Sequence, residues 1–293
     1  VIRITLLAGF LVAPFVALAG EMTDDHGSVI TVNRESPRVV ALAPHLVELV
    51  FAVGAGQQLV GAVEWSDYPP AAEKVPRVGD AFRMDFERII ELQPDLVLAW
   101  GSGTPTAAIA RLRELGMQVA VLQPEDLESI AVHLEWLGKL LGHSQAGTDA
   151  AARFRDEVEN LRDEFADTRT LDVFYQIQMQ PLYTVSGEHP ISEMIVLCGG
   201  RNIFADVGQL APAVTREAVL AENPQVIVSG YAARESGELA SWQQWKNLDA
   251  VRFDNLLAVD AQALARSTPR MLEAGRELCE HMEKARRRTN NNR

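Results

Sequence analysis

Cysteine is nearly absent from this chain: Cys198 and Cys279 are the only two in 293 residues. Two thiols are too few for a CxxC…CxxC zinc site or for a small fold stapled by disulfides. Histidine is sparse as well. Its six residues, at 26, 45, 133, 143, 189 and 281, include no HExxH pair and no His-rich tract. Walker, GxGxxG and GxSxG motifs are missing, so the usual signatures of nucleotide-dependent and hydrolytic enzymes are not present. Basic charge is the minority, with 27 Lys and Arg against 40 Asp and Glu and a net charge of −13. Coating nucleic acid requires clustered Lys and Arg, so that class of partner is excluded. Beyond the first apolar run no stretch is long enough to span a bilayer, and stable membrane insertion is not expected. The rest of the composition is globular, 47% hydrophobic and 23% charged. The length suggests about two domains.

Residues 1–19 read as a signal peptide. Arg3 is their only charge, an apolar run follows from Ile4 to Leu18, and Ala17-Leu18-Ala19 supplies an A-x-A cleavage site. The alternative is an uncleaved N-terminal anchor. No Cys follows the run, which argues against a lipoprotein. The mature chain is therefore expected to be exported and soluble. In an oxidising compartment Cys198 and Cys279 pair by default; two free buried thiols are the alternative.

Along the chain, short apolar runs alternate with helical periodicity. Strands are expected over 39–42, 59–63, 96–100 and 119–122, with helices over 45–53, 85–92, 106–115 and 127–141. The run Leu96-Val97-Leu98-Ala99-Trp100 has no polar alternation, as a strand buried on both faces requires. This βαβ rhythm predicts an α/β fold with a mostly parallel sheet. Residues 145–166 form a charged, Ala-rich, Pro-free helix. It is long enough to bridge two lobes, or else it is an ordinary surface helix. The rhythm then resumes, with strands over 171–177, 226–228 and 256–259 and a closing amphipathic helix over 269–286. The boundaries expected are an N-terminal lobe over 38–142, a connecting helix over 143–169, a C-terminal lobe over 170–285 and a disordered basic tail over 286–293.

An internal echo links the halves. Glu87 opens a short helical phrase that Pro94 breaks before a buried strand, and Glu217 does the same before Pro224. A carboxylate in a first helical turn is favoured by the helix dipole. Such phrases are common in βα proteins, but beside the long helix this one supports two related lobes.

Two lobes on a stiff connector leave a cleft, and ligands of open α/β sheets sit near the carboxyl ends of strands. Trp65, Trp100 and Tyr183 fall in or next to such positions, and Phe82 lies in the loop before the Glu87 helix. Core packing is the plain alternative for each. Together they suit a large, flat, amphipathic ligand. Arg266 precedes the last helix and is either a cleft anchor for amide or phosphate oxygens or a solvated charge. His45 opens the first helix, where it ligates a metal, hydrogen-bonds a ligand or packs at the helix start.

Several segments carry a resemblance to a known family: Ser66-Asp67-Tyr68-Pro69-Pro70; Phe86-Glu87-Arg88-Ile89 with Pro94-Asp95-Leu96-Val97; Cys198-Gly199-Gly200 with Asn202-Ile203-Phe204; Arg216-Glu217 with Val219-Leu220; and Ser267-Thr268-Pro269-Arg270. The chain resembles periplasmic solute-binding proteins that serve cobalamin, haem and siderophore ABC importers, most closely the cobalamin-binding branch. The resemblance covers about Arg38 to Met282. It implies a non-enzymatic, monomeric periplasmic protein with no cofactor of its own, carrying cobalamin as transported ligand to a permease and ATPase complex. A haem or ferric-siderophore carrier is the alternative, and an exported enzyme a remoter one. It also implies two α/β lobes joined by one long helix with little hinge motion, and the Cys198–Cys279 disulfide. Family cleft aromatics fall on Trp65, Trp100 and Tyr183, and the family's cleft Arg on Arg266. Two family Trp positions are Ala81, beside Phe82, and Ala211, and a family Asp is Gln262. Matching carboxylates at the lobe tips, which pair with transporter arginines, fall on Glu87 and Glu217.

Overall fold

Four apolar runs in the N-terminal half and three in the C-terminal half become parallel strands of two sheets, and Gly200–Asn202 adds a fourth strand to the second. The computed structural model describes residues 22–166 and 168–291, so the signal-peptide segment lies outside the described residues. In the N-terminal half a short hairpin, β1 (Met22–Thr23) and β2 (Val29–Ile30), precedes β3 (Val39–Ala41), α1 (Pro44–Ala52) and β4 (Leu59–Ala62). Then come α2 (Phe86–Glu91), β5 (Leu96–Trp100), α3 (Thr106–Glu114), β6 (Val119–Leu122) and α4 (Leu127–Leu140). The connector is α5 (Ser144–Glu164). The C-terminal half opens with β7 (Leu171–Gln176), the hairpin β8 (Gln178–Met179) and β9 (Leu182–Tyr183), α6 (Pro190–Leu197) and β10 (Gly200–Asn202). It continues with α7 (Arg216–Glu222), β11 (Val226–Gly230), α8 (Tyr231–Glu235), α9 (Asp249–Arg252) and β12 (Leu256–Val259). It closes with α10 (Ala261–Leu264) and α11 (Met271–Asn291).

The N-terminal sheet runs β4-β3-β5-β6 and the C-terminal sheet β10-β7-β11-β12, both parallel throughout. Numbered by chain order within each lobe, both sheets read 2-1-3-4. The echo thus has a topological basis: α2 and α7 each lead into the third strand of their sheet. Asp85 caps α2 through the Arg88 amide, and Thr215 caps α7 through the Ala218 amide. A side-chain oxygen at the N-cap satisfies a donor that the helix leaves open. Leu96, Val97, Leu98 and Ala99 are fully buried, as a two-faced strand requires.

Helix α5 packs along α4 with glycine against glycine: a Cβ on Gly138 would sit 2.7 Å from the Gly147 Cα. Its C-terminal half meets α11, where Arg276 donates to Glu157 and Glu164, both at 2.6 Å. One apolar cluster runs from Val39, Leu46 and Leu98 through Leu134 and Phe154 to Val173 and Leu278, so the lobes share a continuous core. Lobes joined by a large apolar interface move little relative to one another.

Cys198, at the end of α6, is disulfide-bonded to Cys279 on α11, and both are fully buried. The expected disordered tail is corrected. Helix α11 continues to Asn291 and binds its surroundings: Arg286 is buried and donates to the carbonyls of Arg169, Cys198 and Gly199. Thr289 is buried against Asn255. Local basic charge suggested fraying, but these residues satisfy carbonyls left open at a strand start and a helix end. The N-terminal lobe also begins earlier than residue 38. Asp24 accepts from the Val121 amide and Asp25 from the Gln123 amide, so the β1–β2 hairpin docks on β6. No helix among the described residues is long and apolar enough to cross a membrane.

Candidate functional site: a cleft between the lobes

The carboxyl ends of both sheets face a cavity of about 400 Å³. Trp65 from the N-terminal lobe lines it opposite Tyr175, Ile177, Ile191, Gln262 and Arg266 from the C-terminal lobe. Trp65 follows β4 with a left-handed backbone (φ 65°), uncommon for a bulky residue. The turn is pinned on both sides: Arg266 Nη2 donates to the Trp65 carbonyl at 3.0 Å, and Arg77 Nη2 donates to the Ser66 carbonyl at 2.8 Å. The indole is left 77% exposed, an apolar surface presented to the cleft with no protein partner covering it.

Arg266 is in the cleft, but its guanidinium is already engaged. Nη1 donates to Glu48 at 2.9 Å and lies 3.4 Å from Asp67. It is a tie to the other lobe, not a free anchor. Glu48 itself is buried on α1 and also accepts from Thr268 Oγ1 at 2.9 Å. Burial pushes its pKa up, against the pull of Thr268 and of the Arg266 and Arg270 charges.

Trp100 and His45 come together elsewhere in the N-terminal lobe. Their rings meet edge to face at 5.1 Å, and the Trp100 indole packs over Gly103, where a Cβ would sit 1.8 Å from the ring. Burial, with smaller effects of the His133 and Arg266 charges, lowers the His45 pKa to about 3, so the imidazole is neutral at physiological pH. Among the described residues no group of three His, Cys, Asp or Glu is placed to hold a metal. Tyr183 is half-buried on the β8–β9 hairpin. Phe82 stands clear of the surface, 95% exposed, at a loop tip folded around Asp80, which accepts from the Phe82 and Arg83 amides. Of the six ligand candidates, Trp65 and Arg266 line this cavity together; the other four do not line it.

Sequence reasoning missed Tyr175 and His189. Tyr175 is buried in the cleft wall, and burial together with the Asp260 charge raises its phenol pKa. His189 lines the same cavity, and its Nδ1 caps α6 by accepting from the Ile191 amide at 3.1 Å. Burial lowers its pKa to about 4. Glu48 was also missed, although a lone carboxylate within the apolar run Leu46-Val47-Glu48-Leu49-Val50 signals a buried partner. The cavity thus offers apolar walls, neutral polar groups and one cation, Arg266, engaged by Glu48 and by the Asp67 carboxylate at the cavity edge. Such a surface holds a bulky amphipathic molecule by contact and hydrogen bonding.

Glu87 and Glu217 are exposed in the first turns of α2 and α7, and neither forms an ion pair among the described residues.

The comparisons with known proteins agree with this architecture. The model of the periplasmic binding protein family matches residues 39–263. A vitamin B12-binding protein of Vibrio cholerae is 38% identical over 246 residues, covering 84% of this chain and 88% of the relative. The crystal structure of the periplasmic vitamin B12 binding protein BtuF of Vibrio cholerae superimposes with a TM-score of 0.80 at 37% identity, covering 86% of this chain and 98% of that one. The periplasmic heme-binding protein RhuT from Roseiflexus sp. RS-1 superimposes with a TM-score of 0.75 at 25% identity, covering 86% and 99%. With two 2-1-3-4 parallel sheets, a shared core and a cleft at their carboxyl edges, the chain belongs to the periplasmic binding protein family, whose members bind solutes rather than transform them.

Proposed function

We propose that this protein captures cobalamin in the inter-lobe cleft of the periplasm and delivers it to the permease and ATPase complex of an ABC importer. The observation that carries the reading is the bare Trp65 indole facing the apolar wall of Tyr175, Ile177 and Ile191 across the cavity. A flat macrocycle with polar side chains fits between those walls, and the Gln262 amide borders it with a donor and an acceptor. The vitamin B12-binding relatives support the same ligand. Cobalamin is cargo here, not a cofactor, and the protein acts as a monomer.

Delivery needs a docking surface on each lobe. Helices that lead into parallel strands start toward the carboxyl edge of the sheet, so Glu87 and Glu217 take up equivalent places, one per lobe. Their carboxylates are unpaired among the described residues and are suited to basic partners on the transporter. Titration calorimetry of the mature protein with cyanocobalamin and, separately, haemin tests the reading. One-to-one binding of cyanocobalamin is expected. Binding of haemin alone overturns the assignment.

A further inference from the structure

We propose that Glu48 is a positioning residue: a buried cross-lobe latch that sets the width of the cleft before any ligand arrives. The inference rests on the cleft being the ligand site. The latch joins residues more than two hundred positions apart. Glu48 on α1 accepts from Arg266 Nη1 and Thr268 Oγ1, each at 2.9 Å, and Arg270 Nη1 lies 3.5 Å away. The segment from Arg266 to Arg270 also grips other parts of the N-terminal lobe. Arg266 holds the Trp65 carbonyl and approaches Asp67, and the Arg270 guanidinium lies over the Tyr68 ring at 4.5 Å. One connection between α10 and α11 therefore reaches α1 and the turn after β4 together.

The location gives the latch its consequence. It stands between two cavities. The ligand cavity has Trp65 and Arg266 on its walls. A second, of about 310 Å³, is lined by Glu48, Phe51, Tyr68, Thr268 and Arg270. With a cavity on either side, the spacing of the lobes at the cleft floor depends on the polar contacts of Glu48. The shared apolar core fixes the lobes along α4, α5 and α11, and the latch fixes them at the cleft.

Stability alone does not account for a carboxylate here. A buried ion pair is often no more stabilising than apolar residues of the same volume, while its geometry specifies one arrangement over others. The raised pKa of Glu48 reflects that burial cost. What the carboxylate supplies is direction: two oxygens that fix Arg266 and Thr268 at once, and through Arg266 the carbonyl of Trp65. The indole and the wall opposite it are thereby held at a set separation, which lowers the ordering cost of binding.

The test uses the mature protein with nitroxide labels carried by unnatural amino acids at the exposed positions Glu114 and Glu235, one per lobe. Pulsed electron resonance on the ligand-free protein should give one narrow distance distribution. Glu48→Ala should broaden or lengthen it and raise the Kd for cyanocobalamin about tenfold or more. Glu48→Gln, which keeps an acceptor of the same shape, should restore most of the narrow distribution. If Glu48→Ala does not fold, Thr268→Val, which removes one donor at constant volume, should broaden the distribution in its place. A purely structural role would lower the melting temperature and leave the distance unchanged, and that result overturns the proposal. The distance is read without ligand, so failure of the wild type to bind cyanocobalamin refutes the cobalamin reading and leaves the latch decided by the distance.

Discussion

Removing the Trp65 indole separates binding from folding, because the side chain does almost nothing for the folded state. It is 77% exposed, and its one interaction with the other lobe is through the backbone carbonyl that Arg266 holds. Trp65→Ala keeps that carbonyl and the same left-handed backbone, so the melting temperature should be unchanged. The cost should appear in ligand affinity. A tryptophan offers ~150–250 Å² for burial, and at this exposure roughly 115–190 Å² is free to be covered. If a ligand covers about half of it, ~25 cal/mol per Å² gives about 2 kcal/mol. That corresponds to a roughly 30-fold rise in Kd for cyanocobalamin by calorimetry. Indole fluorescence quenching on titration should fall in parallel. Trp65→Gly is the control: it relieves the positive φ, which costs an L-residue roughly 1–2 kcal/mol, offset by the greater freedom of the unfolded chain, and should lose the same affinity. An unchanged Kd in both variants, with saturable binding retained, would refute Trp65 as a wall of the site.

Three further outcomes follow from the structure. The Cys198–Cys279 bond closes a separation of 81 residues, for which the chain-entropy estimate is ~4.5 kcal/mol. Cys198→Ala with Cys279→Ala should therefore lower the melting temperature by roughly 8 °C in calorimetry; an unchanged midpoint counts against the bond as a stabilising element. His45 stays neutral when folded down to about pH 3, but takes a proton below pH 6.5 when unfolded. Its stabilisation is complete above pH 6.5 and is lost as pH falls, by up to ~1.4 kcal/mol per unit. Glu48, whose pKa is raised, contributes in the opposite direction. His45→Gln should thus flatten urea-unfolding stability between pH 6.5 and 4.5, and an unaltered slope would show that His45 is not buried neutral. Glu87→Arg with Glu217→Arg should leave cyanocobalamin affinity intact and abolish uptake through the cognate importer; full uptake would assign the two carboxylates to their helix dipoles alone.

Much of this protein was legible in order along the chain. The strands at Val39, Leu96, Val119 and Val226 are apolar because both faces are covered, and that requirement is written in consecutive residues. Elements with a weaker imprint were missed. Strand β10 is three residues long and begins at Gly200, and the β8–β9 hairpin pairs two residues on each side. Strands that short carry no periodicity to read. The basic run at Arg286–Arg288 was misread because local charge says nothing of the carbonyls of Cys198, Gly199 and Asp254 that those side chains meet.

By itself the sequence determined the repeated α/β lobes, the long connector and the pairing of the two cysteines. Each depends on local periodicity or composition. Only the tertiary structure decided what faces the cleft. It turned Arg266 from a free cation into a tie, drew His45 and Trp100 against each other, and brought Tyr175 and His189 to the cavity. It also joined Glu48 to Thr268 across the lobes. Those outcomes depend on pairs of residues up to 220 positions apart, whose meeting is fixed by sheet order and the shared core and by no pattern in the neighbouring sequence.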